Sequence, residues 1–257
     1  MKLKKRIIFT LLYSSGKFVL SRNFRLQNIG NLNWLIKNYN FNNVSFFIDE
    51  LIILDVSRGE RSIKNFSEVI KIISQDIFVP ITAGGGINSI KDVKKLLDSG
   101  ADKVVLNKNL LIESELADEI STIYGKQCLV GSLDTRYING NYFLYSEYGE
   151  NLVGTLDECF QKFKISERVG EIYINSIDIV NAYNHINYKL KYLCGFEVLY
   201  YNSLLCPKNW KEDYDIREIL KDKESYIIEE IIPENNNKNF LDLIDNNNTS
   251  PNITQVA

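Results

Sequence analysis

The chain has 257 residues, a formal net charge of −3 and a hydrophobic fraction of 45%. This length suits two small domains or one α/β barrel, and the apolar fraction is ample for a full core. Acids and bases are mixed along the chain and its apolar runs are too short to span a bilayer, which argues against nucleic acid or a membrane as partners.

The N-terminal segment MKLKKRIIFTLL is basic and then apolar, which is the order found in a secretory signal. Its apolar part covers only about six residues and no small-residue cleavage site follows, so we interpret it as a first strand. The four cysteines, Cys128, Cys159, Cys194 and Cys206, show no CxxC spacing, and the chain has one histidine. We therefore expect reduced thiols in a cytoplasmic protein, with no metal site and no cofactor.

Eight short apolar runs rich in β-branched residues alternate with amphipathic stretches along the chain. This alternation predicts a parallel sheet with both faces covered, and eight units in about 230 residues fit a closed (β/α)8 barrel better than an open sheet. The predicted strands are 6–12, 49–56, 79–83, 103–106, 127–134, 171–177, 196–202 and 225–231. The predicted helices include 63–74, 90–97, 114–124, 156–169, 187–193 and 210–221. We expect one barrel domain over residues 1–232 and a mobile Asn-rich tail over 233–257.

A weak internal repeat relates the two halves of the chain. The segment RIIFTLLYSSGKFV at 6–19 aligns with CLVGSLDTRYINGNYF at 128–143, and DELIILD at 49–55 aligns with GEIYINSID at 170–178. The first pair of segments shares the order strand, turn, glycine and second extended segment. Two similar half-barrels related by a two-fold axis would produce this pattern. The alignment makes Leu12 the counterpart of Asp134.

The segment ITAGGGINSIKDVKKLLDSGADKVVLNKN at 81–109 has the pattern strand, glycine loop, helix, strand. Glycines at this place let the backbone approach an anion such as a phosphate. A tight turn between strand and helix needs glycine even without a ligand, so this alternative stays open.

Six motifs carry a resemblance to one family: KRII at 5–8, IDELIILDV at 48–56, VPITAGGGI at 79–87, SGADKVVLN at 99–107, LDTRYINGNYF at 133–143 and GEIYINSID at 170–178. In their order and spacing, the chain resembles the cyclase subunit of imidazole glycerol phosphate synthase, a lyase of histidine biosynthesis. The resemblance implies a barrel that receives ammonia from a glutaminase partner. It also implies a doubly phosphorylated small-molecule substrate at the C-terminal mouth of the strands, where two aspartates transfer protons.

The chain departs from the family at the catalytic residues. The resemblance assigns the strand-5 aspartate to Asp134, but its strand-1 partner falls on Leu12 and a nearby lysine falls on Leu20. Leucine neither takes nor gives a proton, so the paired-carboxylate mechanism loses one member. Without this partner, Asp134 has the alternative interpretation of a strand-end residue bonded to its surroundings.

The phosphate contacts implied by the resemblance are only partly present. Gly86 and Asn107 match the first phosphate site, but Lys108 replaces its hydroxyl residue. The loops of the second site do not match, and Glu229 and Glu230 at the end of strand 8 would repel a phosphate.

The charged ring through which the family admits ammonia is present in full. It corresponds to Arg6, Glu50, Lys103 and Glu171, and Asp102 matches a position that faces the glutaminase. Charges at the starts of strands are also ordinary rim residues. Two acids and two bases would nevertheless suit a salt-bridged ring across a pore, because buried charges need partners.

Three hypotheses for the function follow. The favoured one is an ammonia-conducting subunit that binds a glutaminase but is impaired in the standard cyclase reaction; family variants of this kind serve sugar amidation for surface polysaccharides. The alternatives are a genuine cyclase of histidine biosynthesis and a non-catalytic scaffold barrel. Leu12 argues against the cyclase, and the charged ring argues against the scaffold.

Overall fold

Eight parallel strands form a (β/α)8 barrel. The computed structural model describes residues 7–22, 24–38, 41, 45, 48–112, 114–139, 141–177, 198–201 and 226–229. In chain order the strands are β1 (Ile7–Ser14), β2 (Lys17–Arg22), β3 (Arg25–Gly30), β4 (Glu50–Asp55), β5 (Ile81–Gly84), β6 (Lys103–Leu106), β7 (Leu129–Ile138), β8 (Asn141–Ser146), β9 (Asn151–Thr155), β10 (Glu171–Ser176), β11 (Val198–Tyr201) and β12 (Tyr226–Glu229).

The barrel wall consists of β1, β4, β5, β6, β7, β10, β11 and β12. Each of these strands pairs in parallel with the next, and β12 pairs with β1, so the pairings lead back to the first strand. The predicted barrel is therefore confirmed, and every predicted strand has its counterpart. The division into a barrel domain and a tail stays a prediction, since residues 230–257 lie outside the described ranges.

The helices of the described ranges lie between the strands, and all but the first match a predicted helix. They are α1 (Leu32–Asn38), α2 (Ile63–Ile73), α3 (Ile90–Asp98), α4 (Leu116–Tyr124), α5 (Leu156–Lys162) and α6 (Ile165–Arg168). The helix predicted over 156–169 is divided in two, because Lys164 adopts a left-handed conformation with φ of 48°. The helices predicted over 187–193 and 210–221 lie outside the described residues.

Side-chain caps fix where several helices begin. The Ser62 and Ser89 side chains accept hydrogen bonds from backbone N–H groups in the first turns of α2 and α3. At α5, Thr155 and Glu158 form a capping box in which each side chain accepts a hydrogen bond from the other residue's backbone. These caps position the outer helices against the barrel wall.

The strands present two different apolar faces. Alternate residues such as Phe9, Leu11 and Leu51 join the large core between the sheet and the helices. The residues between them form a separate buried cluster, which consists of Ile8, Ile52, Val105, Val130 and Tyr173. Because successive side chains of a strand point to opposite faces, this second cluster fills the barrel lumen.

Both halves of the barrel carry the same added hairpin. Strand β1 continues into antiparallel β2 and β3, and β7 continues into antiparallel β8 and β9. The first turn uses Ser15 and Gly16, which both have positive φ. The internal repeat is thus confirmed, and β2 and β8 lie where its second extended segment was expected. Strands β3 and β9 were not predicted.

Within the described ranges, every helix is too short or too polar to cross a lipid bilayer.

Candidate functional site

Three polar side chains meet at the C-terminal mouth of the barrel. The Asp134 carboxylate, on β7, accepts hydrogen bonds from Asn175 Nδ2 at 2.7 Å and from Asn107 Nδ2 at 3.2 Å. Asn175 lies on the neighbouring strand β10, and Asn107 follows the end of β6. Asn107 also donates to the Ser132 carbonyl at 3.0 Å, so its amide group is committed to this network.

The environment of Asp134 suits a group that exchanges protons. Burial raises the pKa of its carboxyl group to about 6, although the hydrogen bonds from Asn175 and Asn107 act in the opposite direction. A carboxyl with this pKa is present in both protonation states near neutral pH, as a general acid or base requires. The site therefore retains one group fit for proton transfer.

Leu12 lies at the position equivalent to Asp134 in the other half of the barrel. Its neighbour across the strand pair is Leu54, whereas Asp134 has Asn175 as its neighbour. Leu12 is 8% exposed, and Leu20 on β2 is buried as well. One half of the mouth is thus polar and the other half is apolar.

The backbone geometry of the loop after β5 explains why glycine is found there. Gly85 has φ of +107°, and a Cβ atom there would clash with the carbonyl oxygen of Asp55. Gly86 has φ of +73° and packs against the Arg61 side chain. The close backbone approach thus requires glycine at 85 with or without a phosphate, and the binding role of Gly86 stays a prediction.

Residues around the predicted first phosphate site have other partners. The Lys108 Nζ lies 3.9 Å from Glu147 Oε1, and both side chains are exposed. Asp55 accepts hydrogen bonds from the backbone N–H and the hydroxyl of Ser57 at 2.9 and 2.5 Å. The loops expected to hold a second phosphate lie outside the described residues, apart from Glu229 at the end of β12.

Two hairpin tips from opposite walls meet over the mouth. The Phe24 ring, in the turn between β2 and β3, packs on Gly149 in the turn between β8 and β9. Arg58, which follows β4, donates to the Phe24 carbonyl, and its guanidinium carbon lies 5.1 Å from the centre of the Tyr148 ring. We call these four residues the hairpin clasp; cation–π and apolar contacts join the two halves there.

Three predicted ring residues meet at the N-terminal end of the barrel. Lys103 Nζ lies 3.0 Å from Glu50 Oε2 and 2.9 Å from Glu171 Oε2, so one ammonium group bridges two carboxylates. The Glu50 side chain is 1% exposed, and those of Lys103 and Glu171 are 16% and 13% exposed. We call these residues the inlet trio. Arg6, the fourth predicted member, lies outside the described residues.

The inlet trio is anchored by a residue that the sequence analysis missed. Thr82 Oγ1, on β5, donates to Glu50 Oε1 at 2.5 Å, and Thr82 itself is fully buried. The predicted partner contact Asp102 lies at the same end of the barrel. Its carboxylate accepts a hydrogen bond from the backbone N–H of Ile81 at 2.8 Å, so it also fixes the start of β5.

Asn175 was missed as well. The internal repeat could have indicated it. When GEIYINSID is aligned with DELIILD, Asn175 takes the position of Leu54. A polar residue that replaces an apolar one at a strand end marks a change of environment, and here it marks the hydrogen-bond partner of Asp134.

Comparison with known proteins gives a consistent assignment. A family model described as "Histidine biosynthesis protein" matches residues 6–194. The chain is 52% identical over 146 residues to a protein of Parasynechococcus marenigrum named "Putative imidazole glycerol phosphate synthase subunit hisF2", which covers 57% of this chain and 54% of that relative.

Two further relatives are named "Imidazole glycerol phosphate synthase subunit HisF". The one from Flavobacterium psychrophilum is 35% identical over 179 residues, which cover 68% of this chain and 69% of the relative. The one from Corynebacterium urealyticum is 34% identical over 182 residues, which cover 69% and 70%. Together with the barrel and its repeated halves, these matches show that the chain belongs to the histidine biosynthesis protein family, as a divergent HisF-like member.

Proposed function

We propose that this HisF-like barrel takes ammonia from a glutaminase subunit docked at its N-terminal end, conducts it through the lumen, and is impaired in the standard cyclase reaction. The observation that carries the proposal is a contrast between the two ends of the barrel: the inlet trio is ion-paired, whereas the mouth lacks one of its two catalytic carboxylates. Lys103 bridges Glu50 and Glu171 at one end, while Leu12 stands opposite Asp134 at the other.

The inlet trio supports a conduit because of its location. A buried ion pair contributes little net stability, since desolvation offsets most of the attraction between its members. Glu50 is nevertheless almost fully buried where the parallel strands begin, directly below the apolar lumen cluster. A bridge of this kind closes the barrel to bulk water, and one movement of the Lys103 side chain opens it to a small neutral molecule.

The mouth supports impaired cyclisation because only one acid–base group is in place. Asp134 holds a proton-transfer position with a pKa of about 6. Leu12 and its neighbour Leu54 supply no titratable group on the opposite side. Loss of a positioned acid or base usually lowers a reaction rate by on the order of 10²–10⁴-fold.

A genuine cyclase of histidine biosynthesis is the second candidate, and the retained network of Asp134, Asn107 and Asn175 favours it. In that case another group would replace the missing carboxylate. For the first candidate, the ammonia acceptor is another small molecule, and we propose a sugar destined for surface polysaccharide as its class. The apolar half of the mouth at Leu12 and Leu54 supports an acceptor different from the doubly phosphorylated one.

The test begins with docking. The full-length chain is co-expressed with a tagged glutaminase subunit from the same organism, and the fraction of barrel retained with the tag is measured. Asp102→Lys should abolish retention, whereas Asp102→Asn keeps an oxygen that can accept the hydrogen bond from Ile81 N–H and so reports the effect of the lost charge alone. Lys94→Met removes an exposed charge on α3 and serves as the control. If no glutaminase is retained, or if Asp102→Lys binds like wild type, the scaffold hypothesis replaces the conduit.

The second step tests whether ammonia passes from the glutaminase through the barrel. Glutamine-dependent and ammonium-dependent product formation are compared for the histidine-pathway intermediate and for nucleotide-activated sugars. Glu171→Gln should change the glutamine-dependent rate while the docked complex persists, because Glu171 lies at the pore. Turnover of the histidine intermediate within tenfold of an ordinary cyclase would favour the second candidate instead.

A further inference from the structure

One face of the hairpin formed by β7 and β8 continues the surface that carries Asp134. Asp134 on β7 is in register with Tyr145 on β8. Arg136, two residues further along β7, is in register with Phe143. Side chains two residues apart on a strand share a face of the sheet, and so do side chains directly opposite each other in an antiparallel pair. All four side chains therefore lie on one face of the hairpin.

This face keeps access to solvent, whereas the other face is covered. Arg136, Phe143 and Tyr145 are half-buried. Tyr142 and Leu144, which alternate with the two aromatic residues along β8, belong instead to the large core between the sheet and the helices. Beyond the carboxylate, the accessible face thus presents two aromatic rings and a guanidinium group.

The guanidinium group of Arg136 lies against the Tyr145 ring. Its central carbon is 4.9 Å from the ring centre, within the range of a cation–π contact, which limits the positions that the long side chain takes. A guanidinium carries five N–H donors in one plane and can bind phosphate oxygens through two parallel hydrogen bonds. The carboxylate at the hairpin tip has its own contacts: Glu147 accepts a hydrogen bond from Asn151 Nδ2 at 2.6 Å and lies 3.9 Å from Lys108 Nζ.

The equivalent hairpin in the other half of the barrel has a different set of side chains. In the internal repeat, Leu12 and Ser14 on β1 take the places of the aspartate and the arginine. Their partners on β2 are Val19 and Lys17, so neither aromatic ring has an aromatic counterpart. The acid, the arginine and the two rings are thus present together in one half and replaced together in the other. This joint replacement fits contacts with a single ligand.

We propose that this face of the β7–β8 hairpin binds the nucleoside diphosphate part of the ammonia acceptor, which makes the acceptor a nucleotide-activated sugar; this deepens the proposed function and rests on it. Arg136 binds the diphosphate oxygens, and the base stacks on Phe143. Two residues of a strand span about 7 Å, so a sugar bonded to the diphosphate reaches from Arg136 to Asp134. The hairpin face holds and orients the molecule, and no bond forms or breaks there.

The test is calorimetric titration of the full-length chain with uridine diphosphate, adenosine diphosphate, inorganic pyrophosphate and uridine. Two nucleotides are used because stacking accepts every base. Both should bind more tightly than pyrophosphate or uridine, since each of these fills only part of the site. Uridine diphosphate glucose or uridine diphosphate N-acetylglucosamine should bind at least as tightly as uridine diphosphate. Weaker binding of both would show that a sugar does not fit beside Asp134, and it would overturn the assignment to an activated sugar.

Variants identify the groups that bind. Arg136→Met removes the charge and should weaken binding of the nucleotides and of pyrophosphate by about tenfold or more, the scale of a hydrogen bond to a charged group. Phe143→Leu should weaken binding of the nucleotides and leave that of pyrophosphate unchanged. Arg25→Met is the control, since Arg25 is an exposed arginine on the hairpin of the other half. If Arg136→Met does not fold, Arg136→Lys takes its place, because lysine keeps the charge but loses the two parallel hydrogen bonds.

Nucleotides that fail to bind at millimolar concentration, or that bind Arg136→Met as tightly as wild type, would overturn the inference. Such a result with a retained glutaminase leaves the conduit in place and assigns the acceptor to another chemical class. Nucleotide binding by a chain that retains no glutaminase has the opposite meaning: it refutes the proposed function and leaves a nucleotide site without it.

Discussion

Leu12 and Asp134 occupy the same position in two strand pairs of identical register. Leu12 lies four residues beyond Ile8, which pairs with Glu50, and Asp134 lies four residues beyond Val130, which pairs with Glu171. The two glutamates belong to one ion-paired group at the barrel inlet. The halves therefore agree at the inlet and differ at the mouth, where a leucine in one corresponds to an aspartate in the other.

The first prediction concerns the carboxylate that is missing at position 12. Leu12→Asp should raise cyclase turnover with the histidine intermediate and ammonium salts, because it returns a proton-transfer group opposite Asp134. Restoration of a positioned acid or base is worth about 10²–10⁴-fold in rate. Leu12→Asn is the matched control, since it has nearly the same shape and cannot ionise. Steady-state turnover of wild type and both variants decides the point; equal rates for Asp and Asn would show that residue 12 takes no part in proton transfer.

The second prediction concerns the inlet trio. Lys103→Met should lower the free energy of unfolding, because Glu50 and Glu171 lose the ammonium group between them. Removal of one partner from a buried ion pair costs about 3–5 kcal/mol, and the slight exposure of Lys103 places the loss toward the lower end. Lys94→Met removes an exposed partner of Asp98 and should leave stability unchanged. Urea unfolding curves measure both, and similar curves for the two variants would contradict the buried-bridge interpretation.

The third prediction follows from the raised pKa of Asp134. The pKa of its carboxyl rises from 3.8 to about 6 on folding, so between these values the folded protein binds more protons than the unfolded chain. The free energy of unfolding should therefore fall as pH rises from about 4 to about 6, by on the order of 3 kcal/mol. Asp134→Asn should remove this component. Urea unfolding at a series of pH values tests it, and a slope that is unchanged in the variant would assign the titration to another group.

The fourth prediction concerns Phe78 and the face on which we propose that a glutaminase docks. Phe78 is 80% exposed and lies just before β5, at the same end as Asp102, whose carboxylate binds the first residue of that strand. An exposed aromatic side chain near the centre of an interface is a typical hot spot. Phe78→Ser should weaken glutaminase binding by about 2 kcal/mol or more. Leu152→Ser, at an exposed site on β9 beside the mouth, is the control and should leave the dissociation constant unchanged.

The barrel was predictable because its signals are local and repeated. Short β-branched runs set the strands, and the N-terminal ends of parallel strands converge at one edge, so Glu50, Lys103 and Glu171 were expected as neighbours. The register of a strand pair depends on both strands, so it cannot be predicted from the sequence of one strand alone. The exception was the repeat, which aligned Leu12 with Asp134 before any pairing was known, and the strand pairs confirm that alignment.

Strands β3 and β9 and the partners of Asp134 were not predicted, for different reasons. Both strands are short and only partly apolar, so the apolar pattern favoured no strand there. Asn107 was predicted as a phosphate contact, which stays a prediction; its amide also donates to Asp134 and to the Ser132 carbonyl. Which of several acceptors an asparagine meets depends on strand register, and this information is absent from the spacing of residues along the chain.

The hairpin clasp joins the hairpin that follows β1 to the hairpin that follows β7, so it links the two halves of the barrel outside the strand pairs of the wall. These hairpins continue the strands that carry Leu12 and Asp134. A substitution that shifts one hairpin should therefore also displace the hairpin of the other half, through Phe24 on Gly149 and Arg58 on Tyr148.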